Sequence, residues 1–347
     1  MRLERVTPGR RAPARLAGAV LARDLRIGST RWSKGRRLSD EDLVALADAD
    51  FGEPITVIVL EAGEMHEDDA ATRLADAVAG NGLTRRGPSQ SRVDLLAAHD
   101  GVLNVDVANL ERINRIDPLE VFTAFDGQIV ATGELVASVK VAPHVVPGTV
   151  VEQGARIAGF GSTPVVWVAP FIRSSVAVVV KESVRGVARE RFETSVRAKV
   201  EGLGSQITSI VYVDDDPDAV ERVLHPFVAG REMVDLVLTA GAASTDPADA
   251  FFEAIERLGG RVVRRGVPSH PGSMLWLARV GRASILGMPT CGAYSKATAV
   301  DLLLPRLLSG EPPSEKTVAK LGHGGILTRD QRFRFPPYAR ELEAPEG

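Results

Sequence analysis

Asp235-Leu236-Val237-Leu238-Thr239-Ala240-Gly241-Ala242-Ala243-Ser244-Thr245-Asp246-Pro247-Ala248-Asp249 is the stretch on which the fold turns. The apolar run Val234 to Leu238 leads into a loop of small residues, and a stretch of helical character from Ala248 to Leu258 then ends at Gly259-Gly260. This spacing predicts a strand, a tight loop and a helix. A second loop, Gly287-Met288-Pro289-Thr290-Cys291-Gly292-Ala293, follows the apolar piece Ala283 to Leu286 and opens a helix with Tyr294, Ser295 and Lys296 in its first turn. Upstream, Val176 to Val180 predicts a buried strand, Val187 to Leu203 a helix ending at Gly204, Ile207 to Val213 a strand, and Pro217 to Val228 a helix. Strands alternating with helices of this length predict an α/β fold, a doubly wound parallel sheet with Rossmann-like three-layer packing.

Working outward, the first sixty residues predict a short strand at Ala19 to Leu21, a helix from a Ser39 cap to Ala47, and a buried strand at Ile55 to Leu60. An acidic turn, Glu61 to Asp69, runs into a helix over Ala70 to Ala79, and its carboxylates suit the positive end of the helix dipole. His66 in that turn lacks a second histidine at helical spacing and reads as a surface residue. From Val93 to Gly161, short apolar pieces such as Val136 to Val141, Gly148 to Val151 and Arg156 to Ala158 alternate with glycines and prolines, predicting a β-rich module. The organisation expected is an α+β module over 1–92, a β-rich module over 93–173, the α/β domain over 174–310, and a tail over 311–347 with little regular structure.

At 347 residues and 44% hydrophobic content the chain has material for more than one core. A net charge of −3, with arginines and carboxylates mixed, provides no basic stripe for nucleic acid. The short basic arm Arg2 to Arg15 reads as a frayed terminus. One cysteine, Cys291, excludes an intramolecular disulfide and any zinc site of paired cysteines, which fits a reducing compartment. Leu16 to Ala22 is too short, and Val165 to Val180 too interrupted by Arg173, to predict a membrane span. The expectation is a cytoplasmic protein.

Both loops are predicted at the carboxyl ends of parallel strands, where open α/β sheets bind ligands and helix N-termini face anions. In the first, Asp246 and Pro247 read as N-cap and first helical residue. Gly241 permits backbone N–H groups to converge, and Thr239, Ser244 and Thr245 add hydroxyls. Asp246 and Asp249 beside an anion site suggest a bridging Mg²⁺, although a simple helix cap fits Asp246 equally well. In the second, Gly287 and Gly292 flank Pro289, and a tight turn made only for packing would look the same.

The motif Asp235 to Ser244, with Asp249 downstream, resembles the D-h-h-h-T-S-G-G-x-S loop of molybdopterin molybdotransferases of the MoeA and gephyrin E-domain type. His270-Pro271-Gly272-Ser273 resembles their K-P-G-K turn, and Gly287 to Gly292 their G-L-P-G-N-P. The order and spacing agree over about Ser174 to Gly310. The resemblance implies that this domain binds the pterin phosphate of molybdopterin, with molybdotransferase chemistry and Mg²⁺ in the intact family. Carried over by position, Thr239, Gly241, Ser244 and Asp249 line the phosphate and metal pocket, with Asp249 as catalytic carboxylate. Gly272, Gly287 and Pro289 shape the other wall. Ala240, Ala242, His270, Pro271, Ser273, Thr290, Gly292 and Ser295 complete the set.

Ala240 and Ala242 stand where the family has Ser and Gly. His270 and Ser273 replace two lysines, removing fixed positive charge from an oxyanion site. The nearest equivalent of the family's T-G-D/N-E loop is Lys181-Glu182-Ser183. The resemblance thus implies a divergent member with three function classes open: a molybdotransferase-like enzyme, a non-catalytic carrier or chaperone of the cofactor, and a regulator. A nucleotide pyrophosphatase or amidase using a related domain is a further enzyme alternative. A homodimer is expected, with a molybdoenzyme or another cofactor-biosynthesis protein as possible partner.

Overall fold

The computed structural model describes residues 1–49, 51–181, 186–242, 244–289 and 297–342. Two compact units emerge: Met1–His99, Leu103–Asp126 and Ala131–Val168 form the first, and Asp100–Val102, Gly127–Val130 and Ala169–Gly347 the second.

In the first unit, strand Arg2–Val6 pairs antiparallel with Ile55–Val59, which also pairs with Val20–Leu21. The basic arm is therefore ordered at its start rather than frayed. Val6 is buried in the small core with Leu16, Leu21, Leu38, Leu46 and Val57. Helix Asp40–Asp48 begins at Ser39 as expected, in a capping box with Asp42. A four-stranded antiparallel sheet orders Leu119–Thr123, Leu135–Val141, Arg92–Ala97 and Leu83–Ser89. The β-rich expectation fails at Gly148–Ala158, which is a helix. Its buried Val151, Gly154, Ala155 and Ala158 recur at helical spacing, and these small residues allow close packing on helix Glu67–Val78. Helix Val107–Asn114, capped by Asp106, also lies within the predicted β module.

His66 is not a surface residue: it is 1% exposed and is the N-cap of helix Glu67–Val78. Its Nδ1 accepts from the Asp68 N–H at 3.1 Å, and its Nε2 lies 2.8 Å from the Gly35 carbonyl oxygen. Those two contacts select the tautomer with the proton on Nε2. The next residue, Glu67, is also buried rather than solvated, with Oε2 2.8 Å from His144 Nδ1.

The second unit is built on a six-stranded sheet in the order Gln206–Tyr212, Ser175–Val180, Leu236–Ala240, Ala283–Met288, Trp276–Val280, Arg261–Arg265. The first four strands are parallel and the last two antiparallel, so the doubly wound parallel core carries an antiparallel edge. Helices Val187–Glu201 and Ala299–Leu308 cover one face with Phe192, Val196, Val200 and Leu304; Pro217–Val228 and Ala250–Arg257 cover the other with Leu224, Phe227, Phe251 and Ile255. This is the three-layer α/β fold predicted from the sequence.

Beyond Gly310 the chain is more regular than expected. Helices Glu315–Lys320 and Pro337–Leu342 flank a 3₁₀ segment at Arg329–Arg334. Val318, Leu321, Phe335, Tyr338 and Ala339 are buried in the same core as Phe192 and Val200. Beneath them lies an ion pair, Lys199 Nζ to Asp301 Oδ1 at 2.5 Å, with both side chains fully buried. Burial and the neighbouring charge of Asp301 push the Tyr338 hydroxyl well above the usual tyrosine range.

Candidate functional site

The chain passes from Ser175–Val180 to Gln206–Tyr212 on one side and returns to Leu236–Ala240 on the other, so strand order reverses between Ser175–Val180 and Leu236–Ala240. A crevice at the carboxyl ends of such strands is where open α/β sheets take ligands. Lys181 ends one wall, and the loop from Gly241 to Asp249 ends the other.

Gly241 has φ +91°, a conformation that L side chains rarely adopt, which explains glycine at the first residue past the strand. Thr239, paired with Val179 on one side and Gly287 on the other, is fully buried, and its hydroxyl has no hydrogen-bond partner among the described residues. Such an orphaned donor at a strand end is uncommon and marks a place where a polar group could be received. Ser244 is buried, with Oγ 3.8 Å from Met274 Sδ, so the first loop meets the turn that follows Ser273.

The helix start differs from the sequence reading. Asp249, not Asp246, is the N-cap, and the helix runs Ala250–Arg257. Asp249 Oδ1 accepts from the Phe251 N–H at 2.9 Å, whereas Asp246 is exposed and its Oδ1 caps only a turn, accepting from Ala248 N–H at 2.9 Å. Proline at 247 fits that turn as well as it would fit a first helical position, and spacing alone did not separate the two.

Asp249 Oδ2 lies 2.7 Å from Lys181 Nζ, with side chains 3% and 4% exposed. Asp215, in the turn after Gln206–Tyr212, holds the same ammonium at 2.8 Å from a carboxylate that is 67% exposed. Burial alone would lower the Lys181 pKa, but hydrogen bonds to Asp215 and Asp249 more than offset it and raise it. The two ion pairs differ in weight. An exposed pair contributes about 0–1 kcal/mol, whereas breaking a buried one costs about 3–5 kcal/mol. Asp249 is therefore the fixed partner and Asp215 the exchangeable one.

The carboxylate that the sequence offered to a bridging Mg²⁺ is committed to protein partners: the Oδ2 of Asp249 is paired with Lys181 Nζ, and its Oδ1 accepts from the Phe251 N–H at the helix start. A divalent cation at Asp249 would first have to displace the ammonium. From the sequence, Lys181 entered only as part of the nearest equivalent of the T-G-D/N-E loop, without a charge role, and Asp215 not at all. The signal available was a lysine directly after the buried run Val176–Val180, at the carboxyl end of a central strand.

The turn His270 to Ser273 joins the two antiparallel edge strands on the same side of the sheet. His270 is exposed, while its main chain bonds Gly325 and Leu327. Pro271 carbonyl accepts from Ala299 N–H at 3.0 Å, and Gly272 is required because a Cβ there would press on Ala299 N at 2.8 Å. Gly287 lies inside strand Ala283–Met288 rather than in the loop after it. A Cβ at Gly287 would overlap the Trp276 indole, so packing fixes this glycine. The indole is buried against Phe252 at 5.0 Å and Phe251 at 6.0 Å. Pro289 is buried just past the strand. Thr290, Gly292 and Ser295 lie outside the described residues, as do Glu182 and Ser183. Asp235 gains a structural role: Oδ2 accepts from Ser175 N–H at 2.8 Å and Oγ–H at 2.9 Å, pinning the two crevice strands at their opposite ends.

Residues 175–309 match the family described as probable molybdopterin binding domain. Over this segment the chain is similar to that family, in keeping with the motifs at Thr239, Gly272 and Gly287. A curated relative, molybdopterin molybdenumtransferase of Synechococcus elongatus, is 29% identical over 126 residues, 36% of this chain and 31% of that protein. The match thus spans about a third of the relative's length. Among solved structures, the molybdopterin biosynthesis enzyme MoaB of Thermus thermophilus is 23% identical, covering 40% of this chain and 98% of its own, with TM-score 0.31. The MoeA protein of Pyrococcus horikosii is 13% identical, covering 75% and 81%, with TM-score 0.31. No helix among the described residues is long and apolar enough to cross a membrane.

Proposed function

We propose that the second unit binds molybdopterin, or a closely related phosphorylated pterin, at the carboxyl ends of the paired strands Ser175–Val180 and Leu236–Ala240, and that the protein serves molybdenum cofactor biosynthesis. The observation that carries this reading is the convergence at one reversal of strand order of Gly241 in a left-handed conformation, the orphaned Thr239 hydroxyl and the buried Lys181–Asp249 pair. The family match over residues 175–309 supports the pterin as ligand.

In this reading Thr239, Gly241 and Ser244 supply donors to the phosphate end of the ligand. The helix N-terminus at Ala250 does not, because the carboxylate of Asp249 already occupies it. Asp249 orients Lys181, and no divalent cation is assigned to the site. Binding and handling of the cofactor are favoured over metal insertion, since His270 and Ser273 provide no fixed positive charge for molybdate. The experiment is mass spectrometry of small molecules that co-purify with the protein under anaerobic conditions. A molybdopterin-derived species is expected at near-stoichiometric occupancy in a host that makes the cofactor. A non-pterin nucleotide in its place would favour the pyrophosphatase alternative.

A further inference from the structure

Among the described residues, the three motifs at Thr239 to Asp249, His270 to Ser273 and Gly287 to Pro289 contain no lysine or arginine. A phosphate needs a cation or dense donors to leave water. At the crevice the charge is supplied from a different strand. We propose that Lys181 is the residue that receives the phosphate of the ligand, exchanging Asp215 for a phosphate oxygen while Asp249 holds the ammonium in place. The proposal deepens the pterin reading and rests on it for the identity of the ligand.

The geometry separates the two carboxylates. Asp249 is buried and fixed by the Phe251 N–H, and its contact with Lys181 is closed to solvent on both sides. Asp215 reaches the same ammonium from an exposed turn, so water can take over its carboxylate when it leaves. An ammonium has three donors, and the Phe251 ring lies 5.7 Å from Nζ. One donor stays on Asp249 and another can pass from Asp215 to an incoming oxygen. The backbone N–H of Lys181 is bonded to the Ala240 carbonyl at 2.9 Å, which holds the lysine beside Gly241. With Asp215 in contact, the cluster of one ammonium and two carboxylates is net negative and repels anions. With Asp215 displaced, Lys181 and Asp249 balance.

The test is calorimetric titration of the full chain with two probes, molybdopterin prepared anaerobically and inorganic pyrophosphate. Lys181→Met is expected to weaken both by about tenfold or more, and Asp215→Asn to tighten both severalfold, by removing the competing carboxylate. The double variant Lys181→Met/Asp249→Asn leaves no unpaired buried charge, and a wild-type thermal midpoint for it separates loss of the cation from loss of the fold. Wild-type affinity for both probes in a folded double variant, or weaker binding in Asp215→Asn, overturns the proposal. Lys181-dependent binding of pyrophosphate without binding of molybdopterin sustains the lysine assignment and overturns the pterin. Binding of molybdopterin that ignores Lys181→Met does the reverse. A wild-type protein that binds neither probe overturns both.

Discussion

The ammonium of Lys181 and the carboxylate of Asp249 meet at 2.7 Å, buried where the strand order of the sheet reverses. The acidic residue for which the sequence suggested a metal therefore already has a cation, supplied by the protein. Binding of the pterin should be insensitive to Mg²⁺ and to chelators. Calorimetry with excess EDTA and with millimolar Mg²⁺ checks this, and a strong dependence on the metal would restore Asp249 as a ligand. Because His270 and Ser273 provide no fixed positive charge for molybdate, molybdotransferase activity should be weak, and robust turnover would contradict it.

The Lys199–Asp301 pair makes a stability prediction. Lys199→Met should destabilise the second unit by about 3–5 kcal/mol, because Asp301 would be left charged in a fully buried place. The charge-free pair Lys199→Met/Asp301→Asn should recover part of that loss. Urea unfolding of the two variants measures the difference, and equal stability of Lys199→Met and wild type would show that the pair contributes nothing.

Trp276 over Gly287 predicts a steric coupling. Gly287→Ala should cost about 1–3 kcal/mol through overpacking, and Trp276→Leu should relieve that cost while opening a cavity of its own. In a double-mutant cycle the coupling should be clearly non-zero. Additive effects would mean that the glycine serves the ligand and not the indole.

Acid stability of the first unit should depend on Asp94. Burial works against its carboxylate, but hydrogen bonds from Ser138, Arg86 and Arg92 outweigh burial and hold its pKa down at about 2. A depressed carboxylate contributes stability that is present above its unfolded pKa of about 3.9 and is lost as pH falls through the folded value. Between about pH 4 and about pH 2 the wild type should therefore lose stability more steeply than Asp94→Asn. Parallel acid-unfolding curves for the two would remove Asp94 from the account.

Where apolar periodicity was strong, the fold was legible before the structure. Helix Pro217–Val228 and the buried strand at Val176 to Val180 stand where the pattern put them. Helix Gly148–Ala158 was missed because Val150-Val151 and Ile157 favour strands locally, and only the small buried face decides for a helix. The helices beyond Gly310 are six residues long and depend on packing against Phe192 and Val200, which no local signal reports. At the site, the loop from Thr239 to Asp249 and the turn at Gly272 were visible as motifs. The meeting of Lys181 with Asp249 was not, since 68 residues separate them and only sheet order brings them together. His66 illustrates the same limit: its partner, the Gly35 carbonyl, lies 31 residues away.

The central claim is a phosphorylated-pterin site whose wall is the loop that begins at Gly241. Anaerobic calorimetry with molybdopterin on the wild type and on Gly241→Val tests it most directly. A β-branched residue is poorly tolerated at φ +91°, so the account predicts saturable binding to the wild type and a loss of about tenfold or more in the variant. Unchanged affinity in a folded Gly241→Val protein, or no binding of molybdopterin to the wild type, would contradict it.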